Sequence, residues 1–421
     1  MRSNYKKLGQ FIKEVSVKNK DLSVELLLGV SITKQFIPSI ANTVGTDMSK
    51  YKVVEHHQFA YGPVTSRNGE KISVALLSEE KCIVSTSYTV FEIVDTELLD
   101  PEYLMMWFRR SEFDRYARYM SHGTVRELFG WQEMCDVELP VPSIEKQREI
   151  VREYNVVNDR IALNEQLTQK LEDTAQTIYK QWFVDFEFPI SKEYAESIGK
   201  PELEGKPYKS SGGEMAICEE SGTEIPSNWN NEALSDLARG DRPITYGVLK
   251  PDGFVQEGIK FVRGGDIVDG RVSFDGLKNI SESVSNKYKR TIIKGGEILI
   301  VLVGSPGLVA IAPESLKGAN VYRQIGVVDI ECKDTTQYVR TFLVSPYGQN
   351  ALNNLISGSV QQVINLEKLR GMNILVPDNA TVRFFGKLSS PLQSKIETTD
   401  LITSALKKTK EILLAGLSRM P

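Results

Sequence analysis

Between Ser143 and Phe188 the chain contains neither glycine nor proline, and one series of positions alternates by four and three: Ile150, Tyr154, Val157, Ile161, Asn164, Thr168, Leu171, Ala175, Ile178 and Trp182. This pattern predicts a helix of about 40 residues, roughly 60 Å long, with a single seam that has to be covered. Ser143, following Leu139-Pro140-Val141-Pro142, is suited to cap its start. Two polar residues sit at mid-seam. Asn164 and Thr168 read either as tolerated wet positions or as devices that set register against a facing helix. The facing helix is supplied by the C-terminal segment, where Leu388, Leu392, Ile396, Ile402, Leu406, Leu413 and Leu417 keep helical spacing. Ser390-Pro391 reads as an N-cap with proline at the first helical position, so this second helix is expected to be clean from residue 391 onward. The two helices are expected to pair antiparallel.

Elsewhere the period shortens to that of strands. In the first 142 residues the runs 52–54, 72–77 and 88–94 are strand-like, with Gly62-Pro63 and Asn68-Gly69 as turns. Asp100-Pro101-Glu102 starts a short helix that carries Tyr103-Leu104, Trp107-Phe108 and Phe113 at helical spacing. Residues 186–223 are rich in turn formers and act as a linker. A second module follows over 224–377, with strand-like runs at 259–263, 297–303 and 326–330 punctuated by Gly264-Gly265, Gly295-Gly296 and Gly304-Ser305-Pro306-Gly307.

The two modules repeat one another. Gly123-Thr124-Val125, Trp131, Met134, Leu139, Val141 and Pro142 recur 235 positions later as Gly358-Ser359-Val360, Leu366, Leu369, Ile374, Val376 and Pro377, each time before a helical pattern. So long a period means two copies of one globular unit ending in a helix, and a molecule with approximate two-fold symmetry. Gly123 and Gly358, at matching places, are assigned to backbone geometry. The organisation is therefore 1–142 module, 143–185 helix, 186–223 linker, 224–377 module, 378–421 helix.

Composition narrows the class. The 421 residues, 41% of them hydrophobic, suffice for more than one core. No run of eighteen apolar residues occurs and no apolar stretch follows the charged start, so a cytoplasmic protein is expected. Net charge is −4. Residues 1–142 hold 17 basic and 19 acidic groups, 143–228 hold 10 and 17, and 229–421 hold 24 and 19, so the acid gathers on the first helix and the linker. A nucleic-acid ligand would have to find its positive charge locally or in a partner. Cys82, Cys135, Cys218 and Cys332 lie far apart, and His56, His57 and His122 lack ligand spacing, which argues against zinc and against a disulfide scaffold. His122 also lacks a paired nucleophile.

Catalytic motifs are missing. A methyltransferase of this kind needs Asn-Pro-Pro or Asp-Pro-Pro before an aromatic residue, and neither occurs. Gly265-Asp266-Ile267-Val268-Asp269-Gly270-Arg271 has the glycine spacing of a phosphate-binding loop, but Arg271 and Val272 stand where Lys and Ser or Thr would hold phosphate and magnesium. Glu79-Glu80-Lys81 and Glu331-Cys332-Lys333 match a nuclease-like Glu-x-Lys without a preceding Pro-Asp.

Three further stretches carry a resemblance: Leu139-Pro140-Val141-Pro142-Ser143-Ile144-Glu145-Lys146-Gln147, Trp182-Phe183-Val184-Asp185-Phe186-Glu187, and Gly205-Lys206-Pro207-Tyr208-Lys209-Ser210-Ser211-Gly212-Gly213-Glu214-Met215. With Ile225-Pro226, Trp229 and Phe261-Val262-Arg263-Gly264-Gly265-Asp266-Ile267, in this order and spacing, the chain resembles over essentially its whole length the specificity subunit of a type I restriction-modification system. It departs from that pattern at Pro377-Asp378-Asn379-Ala380-Thr381, which lacks the Glu and Gln of the first copy.

The resemblance implies two α/β (α+β) target-recognition domains in a pseudo-two-fold arrangement, separated by a long antiparallel coiled-coil pair. It implies a non-catalytic subunit whose modules each read one half of a bipartite duplex DNA target, while the helices set the spacer at about one turn, roughly 34 Å. Partners would be two adenine-methylating modification subunits and, through them, translocating restriction subunits. S-adenosylmethionine, ATP and magnesium would belong to those partners, and none to this chain. Base reading needs Arg, Asn or Gln on loops. In the first module Thr65-Ser66-Arg67-Asn68, Lys71, Ser87, Tyr88 and Arg126 are candidates; in the second, Arg263, Tyr322, Arg323, Gln324, Gln361 and Gln362. Each is equally a solvated side chain or a turn former. For pairing and docking the candidates are Ile150, Tyr154, Val157, Ile161, Asn164, Leu171, Ile178, Trp182, Ile396, Leu406 and Leu413. The competing reading is a degenerate two-domain coiled-coil scaffold without sequence readout.

Overall fold

The computed structural model describes residues 5–39, 45–66, 71–123, 127–218, 222–358 and 361–419. The chain divides into two compact units, Met1–Leu163 with Ala405–Pro421, and Asn164–Ser404. Each contains one globular module and a stretch of both long helices.

In the first unit the centre is a four-stranded antiparallel sheet in the order Ile12–Val15, Thr89–Ile93, Phe59–Tyr61, Val74–Leu76. Strand alternation sorts its side chains cleanly. Phe59, Tyr61, Val74 and Phe91 face one core with the helices Pro101–Phe108 and Ser111–Met120, where Phe59 stacks on Phe91 at 4.8 Å and meets the edge of Phe108 at 5.9 Å. Ala60, Ala75 and Val90 face a second core with Val54, Cys82 and Val84 from the pair Lys52–Glu55 and Lys81–Val84. The Asp100 carboxylate accepts the Tyr103 N–H at 3.0 Å and so starts the first of these helices, as proline at its first position leads one to expect.

The module closes on itself just before the long helix begins. Tyr5–Lys7 pairs antiparallel with Glu138–Pro140, and helix Ile144–Phe183 follows. Gln147 is fully buried in its first turn. Its amide accepts from Asp100 N at 2.9 Å and donates to Leu98 O at 3.0 Å and Pro142 O at 2.8 Å, tying the helix start to the base of the module. Further along, Ile150, Val151 and Tyr154 share a core with Leu414 and Leu417 of the C-terminal helix, and the Tyr5 hydroxyl donates to Ser418 O at 3.1 Å.

The second unit repeats this order of elements. A four-stranded antiparallel sheet runs Thr245–Tyr246, Ile325–Val328, Ile298–Val301, Val309–Ile311. Ile298, Ile300, Val309 and Val328 face the helices Lys333–Val344 and Pro346–Asn354, while Leu299, Val301, Ala310 and Val327 fill a separate core. Asn230–Ala233 pairs with Asn373–Val376, and the second long helix follows. Gly123 and Gly358 both adopt positive φ, 138° and 97°. At Gly358 an added Cβ would lie 2.3 Å from the Gln361 carbonyl oxygen, so the backbone requires glycine there.

The C-terminal helix departs from expectation in two ways. It runs unbroken from Asn379 to Gly416 with Pro391 inside it, so residue 391 is not its start. Asp378 provides the cap: its carboxylate accepts from Ala380 N and Thr381 N at 3.0 Å each and from the Thr381 hydroxyl at 2.7 Å. Pro391 faces outward and removes one backbone bond of a long ladder. Nor do Leu388 and Ile402 belong to the seam, being 40% and 43% exposed. The covered stripe is Val382, Phe385, Ser389, Leu392, Ile396, Thr399, Thr403 and Leu406, again alternating by three and four. Thr403 takes a seam position where the facing helix is polar, the Asn164 amide donating to its hydroxyl at 3.1 Å.

In this unit Trp182 and Phe183 meet Phe385 at 6.0 and 5.0 Å, which with the Asn164–Thr403 bond makes the helices antiparallel. Glu172 receives both Arg340 terminal nitrogens at 2.6 and 2.9 Å, joining the first long helix to helix Lys333–Val344. The turn-rich stretch after the first helix is packed: Phe188 stacks between Tyr208 at 4.6 Å and Trp229 at 5.0 Å.

A buried hub holds the second module. Arg242 bonds Glu297 at 2.6 Å, Asp329 at 2.9 Å, and the carbonyls of Arg290 and Ile292 at 2.7 and 2.6 Å. Arg242→Met leaves the buried Glu297 carboxylate without its cation, while Asp329 keeps Lys294 at 3.4 Å, and is expected to cost about 3–5 kcal/mol, read as a lower urea midpoint for the second unit; a loss below about 1 kcal/mol would show that Glu297 re-pairs elsewhere. A second expectation concerns alkali. Burial raises the phenol pKa of Tyr61, Tyr103, Tyr179 and Tyr338, so the folded chain keeps protons that the unfolded chain gives up near pH 10. The unfolded state then binds fewer protons and stability falls as pH rises past about 10. Lys34, whose pKa burial lowers, works in the opposite sense as a single group. Urea midpoints between pH 9 and 11 should fall, and a flat profile would contradict this accounting.

Candidate nucleic-acid interface

In the second unit the backbone brings the candidate loops to one edge. Tyr322 N bonds Val262 O at 2.8 Å and Arg323 N bonds Val248 O at 3.0 Å, while Gly264 N reaches the Gln324 side-chain oxygen at 3.4 Å. Leu302 N bonds Gln324 O at 2.6 Å, and Leu302 O accepts from Ile364 N at 2.9 Å in the hairpin of Ile356–Ser357 with Val363–Ile364. Gln361 and Gln362 are exposed at the turn of that hairpin. One continuous rim therefore carries Arg263, Tyr322, Arg323, Gln324, Gln361 and Gln362, although they span a hundred residues of sequence.

Their freedom differs. Arg323 is exposed, with its guanidinium 5.7 Å from the Tyr322 ring centre, and Gln361 and Gln362 are exposed too. The Tyr322 ring is half-buried against Phe261 at 5.7 Å. Arg263 is engaged by a carboxylate, its Nε and Nη2 lying 3.0 and 2.7 Å from the buried Asp266, which raises the guanidinium pKa. Two of its donors are thus spent inside the protein.

In the first unit Arg67, Asn68 and Arg126 lie outside the described residues. Ser87 is exposed and bonds Ser85. Tyr88 is half-buried, its hydroxyl accepting the Val30 N–H at 3.3 Å, which gives it a structural task in the hairpin Leu28–Val30 with Phe36–Pro38. Lys71 is exposed and lines a cavity of about 850 Å³ that also takes in Arg109, Tyr154 and Lys410. Sequence reading passed over Arg109 and Lys410, because nothing local sets them apart from other charges on helices. Lys34, at positive φ, supports the wall: its ammonium donates to Asp114 and Phe108 O at 2.6 Å each.

Of the helix candidates, Ile150, Tyr154 and Ile161 are buried in the first unit, with Val157, Leu406 and Leu413 half-buried. Asn164, Trp182 and Ile396 are buried in the second, with Leu171 and Ile178 half-buried.

Comparison with known proteins agrees with this organisation. Residues 226–405 match the family model of the type I restriction modification DNA specificity domain. The type I restriction enzyme HindI specificity subunit of Haemophilus influenzae is 22% identical, the match spanning 87% of this chain and 86% of that one. The EcoBI specificity subunit of Escherichia coli is 29% identical over 154 residues, which is 36% of this chain and only 32% of that subunit. The crystal structure of a type I restriction-modification system S subunit from M. genitalium shares the fold, with a TM-score of 0.56, 14% identity, and coverage of 98% of this chain and 95% of that one. With the specificity domain matched over residues 226–405 and a relative that aligns over 87% of the chain, this chain is similar along most of its length to type I restriction-modification specificity subunits.

Proposed function

We propose that this chain is the DNA-recognition subunit of a type I restriction-modification complex, each module reading one half of a bipartite target and neither performing chemistry. The observation that carries this reading is the duplicated module, with the same order of sheet, paired helices and closing strand twice over, each copy running directly into a long helix. In the second module the rim of Arg323, Gln361 and Gln362 supplies the guanidinium and amide groups that hydrogen-bond base edges. The two long helices set the number of unread base pairs between the half-sites.

The helices also dock partners. Val156, Leu163, Leu401 and Ile412 are 69%, 58%, 50% and 71% exposed on them, apolar side chains left for another protein to cover. Two modification subunits would bring S-adenosylmethionine for adenine methylation, and restriction subunits joined through them would bring ATP and magnesium. Among the described residues no helix is long and apolar enough to cross a membrane, and the cytoplasm, where the DNA lies, is the proposed compartment.

Single-molecule sequencing of modified adenines in host DNA, with the gene intact and disrupted, tests the reading. Methylation at one bipartite motif is expected to vanish on disruption; an unchanged profile in a host with working modification subunits favours a scaffold without readout. Exchanging residues 1–142 for those of another member should alter one half-site only, and alteration of both would refute independent reading. Deleting four residues within 150–182, about one helical turn, should change the spacer. An unchanged spacer would sink the idea that the helices measure it.

A further inference from the structure

Where the second module leaves its edge strand Thr245–Tyr246 and runs toward strand Ile259–Val262, four large apolar side chains stand in solvent. Tyr246, Leu249, Phe254 and Val255 are 41%, 45%, 51% and 40% exposed. A single apolar side chain at a surface is ordinary; four within ten residues form a patch suited to burial against a ligand.

The loop that carries them is fixed at both ends. Val248 N donates to Val321 O at 2.8 Å and Val248 O accepts Arg323 N at 3.0 Å. Gly247 leaves no room for a side chain there, since an added Cβ would lie 1.9 Å from Val321 O. At the far end Val255 N donates to Asn279 O at 3.0 Å, and the Asn279 amide donates to Gln256 O at 2.8 Å. Between these anchors Asp252 and Gly253 turn the chain with positive φ, 54° and 104°, directly before Phe254. A loop held in this way has little freedom left to lose on binding.

The patch adjoins the rim of candidate base-reading groups. The Phe254 ring lies 6.3 Å from Phe261, Phe261 lies 5.7 Å from Tyr322, and the Arg323 guanidinium lies 5.7 Å from the Tyr322 ring. Charge favours a nucleic-acid occupant over a protein one. Around the small core of Val248, Phe261, Ile280 and Val284, segments 248–261, 278–290 and 322–323 expose seven cations, among them Lys250, Lys278 and Arg323. Three exposed anions, Asp252, Glu257 and Glu282, stand against them, and none of the ten groups forms an ion pair among the described residues. The chain as a whole carries −4, so this positive excess is local. Duplex DNA presents phosphates to such cations and, inside the major groove, one apolar group, the C5-methyl of thymine.

We propose that Phe254, with Leu249 of the same loop, is a specificity contact of the second module that covers a thymine methyl group while Arg323 and the neighbouring amides bond base edges. The proposal rests on the DNA-recognition reading. Thymine is the base that an apolar side chain is able to distinguish in this groove, and every adenine in a half-site brings one on the opposite strand.

The complex assembled with its modification subunits is titrated with motif duplexes in which each thymine of the second module's half-site is replaced in turn by deoxyuridine, which lacks only the methyl group. Burying one methyl corresponds to about fourfold in affinity, so one replacement should weaken wild-type binding by about that factor. Phe254→Ala should bind the thymine and deoxyuridine duplexes equally. Leu249→Ala should narrow the ratio, and it carries the test if circular dichroism shows that Phe254→Ala does not fold. Motif preference without a deoxyuridine effect at any position, or an unchanged ratio in the folded variant, overturns the proposal alone. Failure of a folded Phe254→Ala chain to assemble with the modification subunits overturns it as well and assigns the patch to a protein partner. A wild-type complex that binds the motif no better than a scrambled duplex refutes the recognition reading, and the proposal with it.

Discussion

A helix of 40 residues with one apolar seam has to be covered along its whole length, and the rest of this structure is arranged around that requirement. In the first unit the cover is Leu414 and Leu417 against Ile150, Val151 and Tyr154; in the second it is Phe385 and Tyr338 against Tyr179, Trp182 and Phe183. At the level of Asn164 the seam turns polar, and its amide meets the Thr403 hydroxyl. A polar pair in a helix interface gives up stability relative to an apolar one, but a shift of register by one residue would bury that amide without a partner. Of the two readings open for Asn164, the bond to Thr403 favours the register device. Thr168 makes no such bond and stays a tolerated polar position.

Each module is anchored to its helix by the same backbone device. A strand from the start of the module pairs with the strand just before the helix, Tyr5–Lys7 with Glu138–Pro140 and Asn230–Ala233 with Asn373–Val376. The side chains that finish the junction differ. Gln147 makes three buried hydrogen bonds in the first copy, whereas Val382 stands at the matching place in the second and packs in its core. Ser143 lies 3.4 Å from Lys146 N in the first, and Asp378 performs the capping in the second. Serine and aspartate both offer an oxygen to free N–H groups at a helix start, so the junction persists while its sequence signature fades.

The same distinction explains how far the candidate binding surface was legible. Arg323, Gln361 and Gln362 were marked by residue type in loops, and folding leaves them exposed on one rim. Arg263 and Tyr88 carried the same kind of mark, yet Asp266 takes the guanidinium of one and Val30 N–H the hydroxyl of the other. Composition tells which groups are able to bond a base edge; it does not tell whether the protein has already used them.

Periodicity and the 235-residue repeat by themselves determined that there are two copies of one α/β module, which runs belong to strands, and that the helix from Ile144 is long and needs a partner. These are local properties, because apolar spacing and helix caps act within a few residues of one another. The tertiary structure alone decided that the second helix runs through Pro391, that Ser389, Thr399 and Thr403 rather than Leu388 and Ile402 face its partner, and which arginines remain free. Those outcomes depend on what stands opposite. The Thr403 hydroxyl is accommodated in the seam by the Asn164 amide opposite it, and one missing backbone bond is tolerable only where packing sustains the turns on either side.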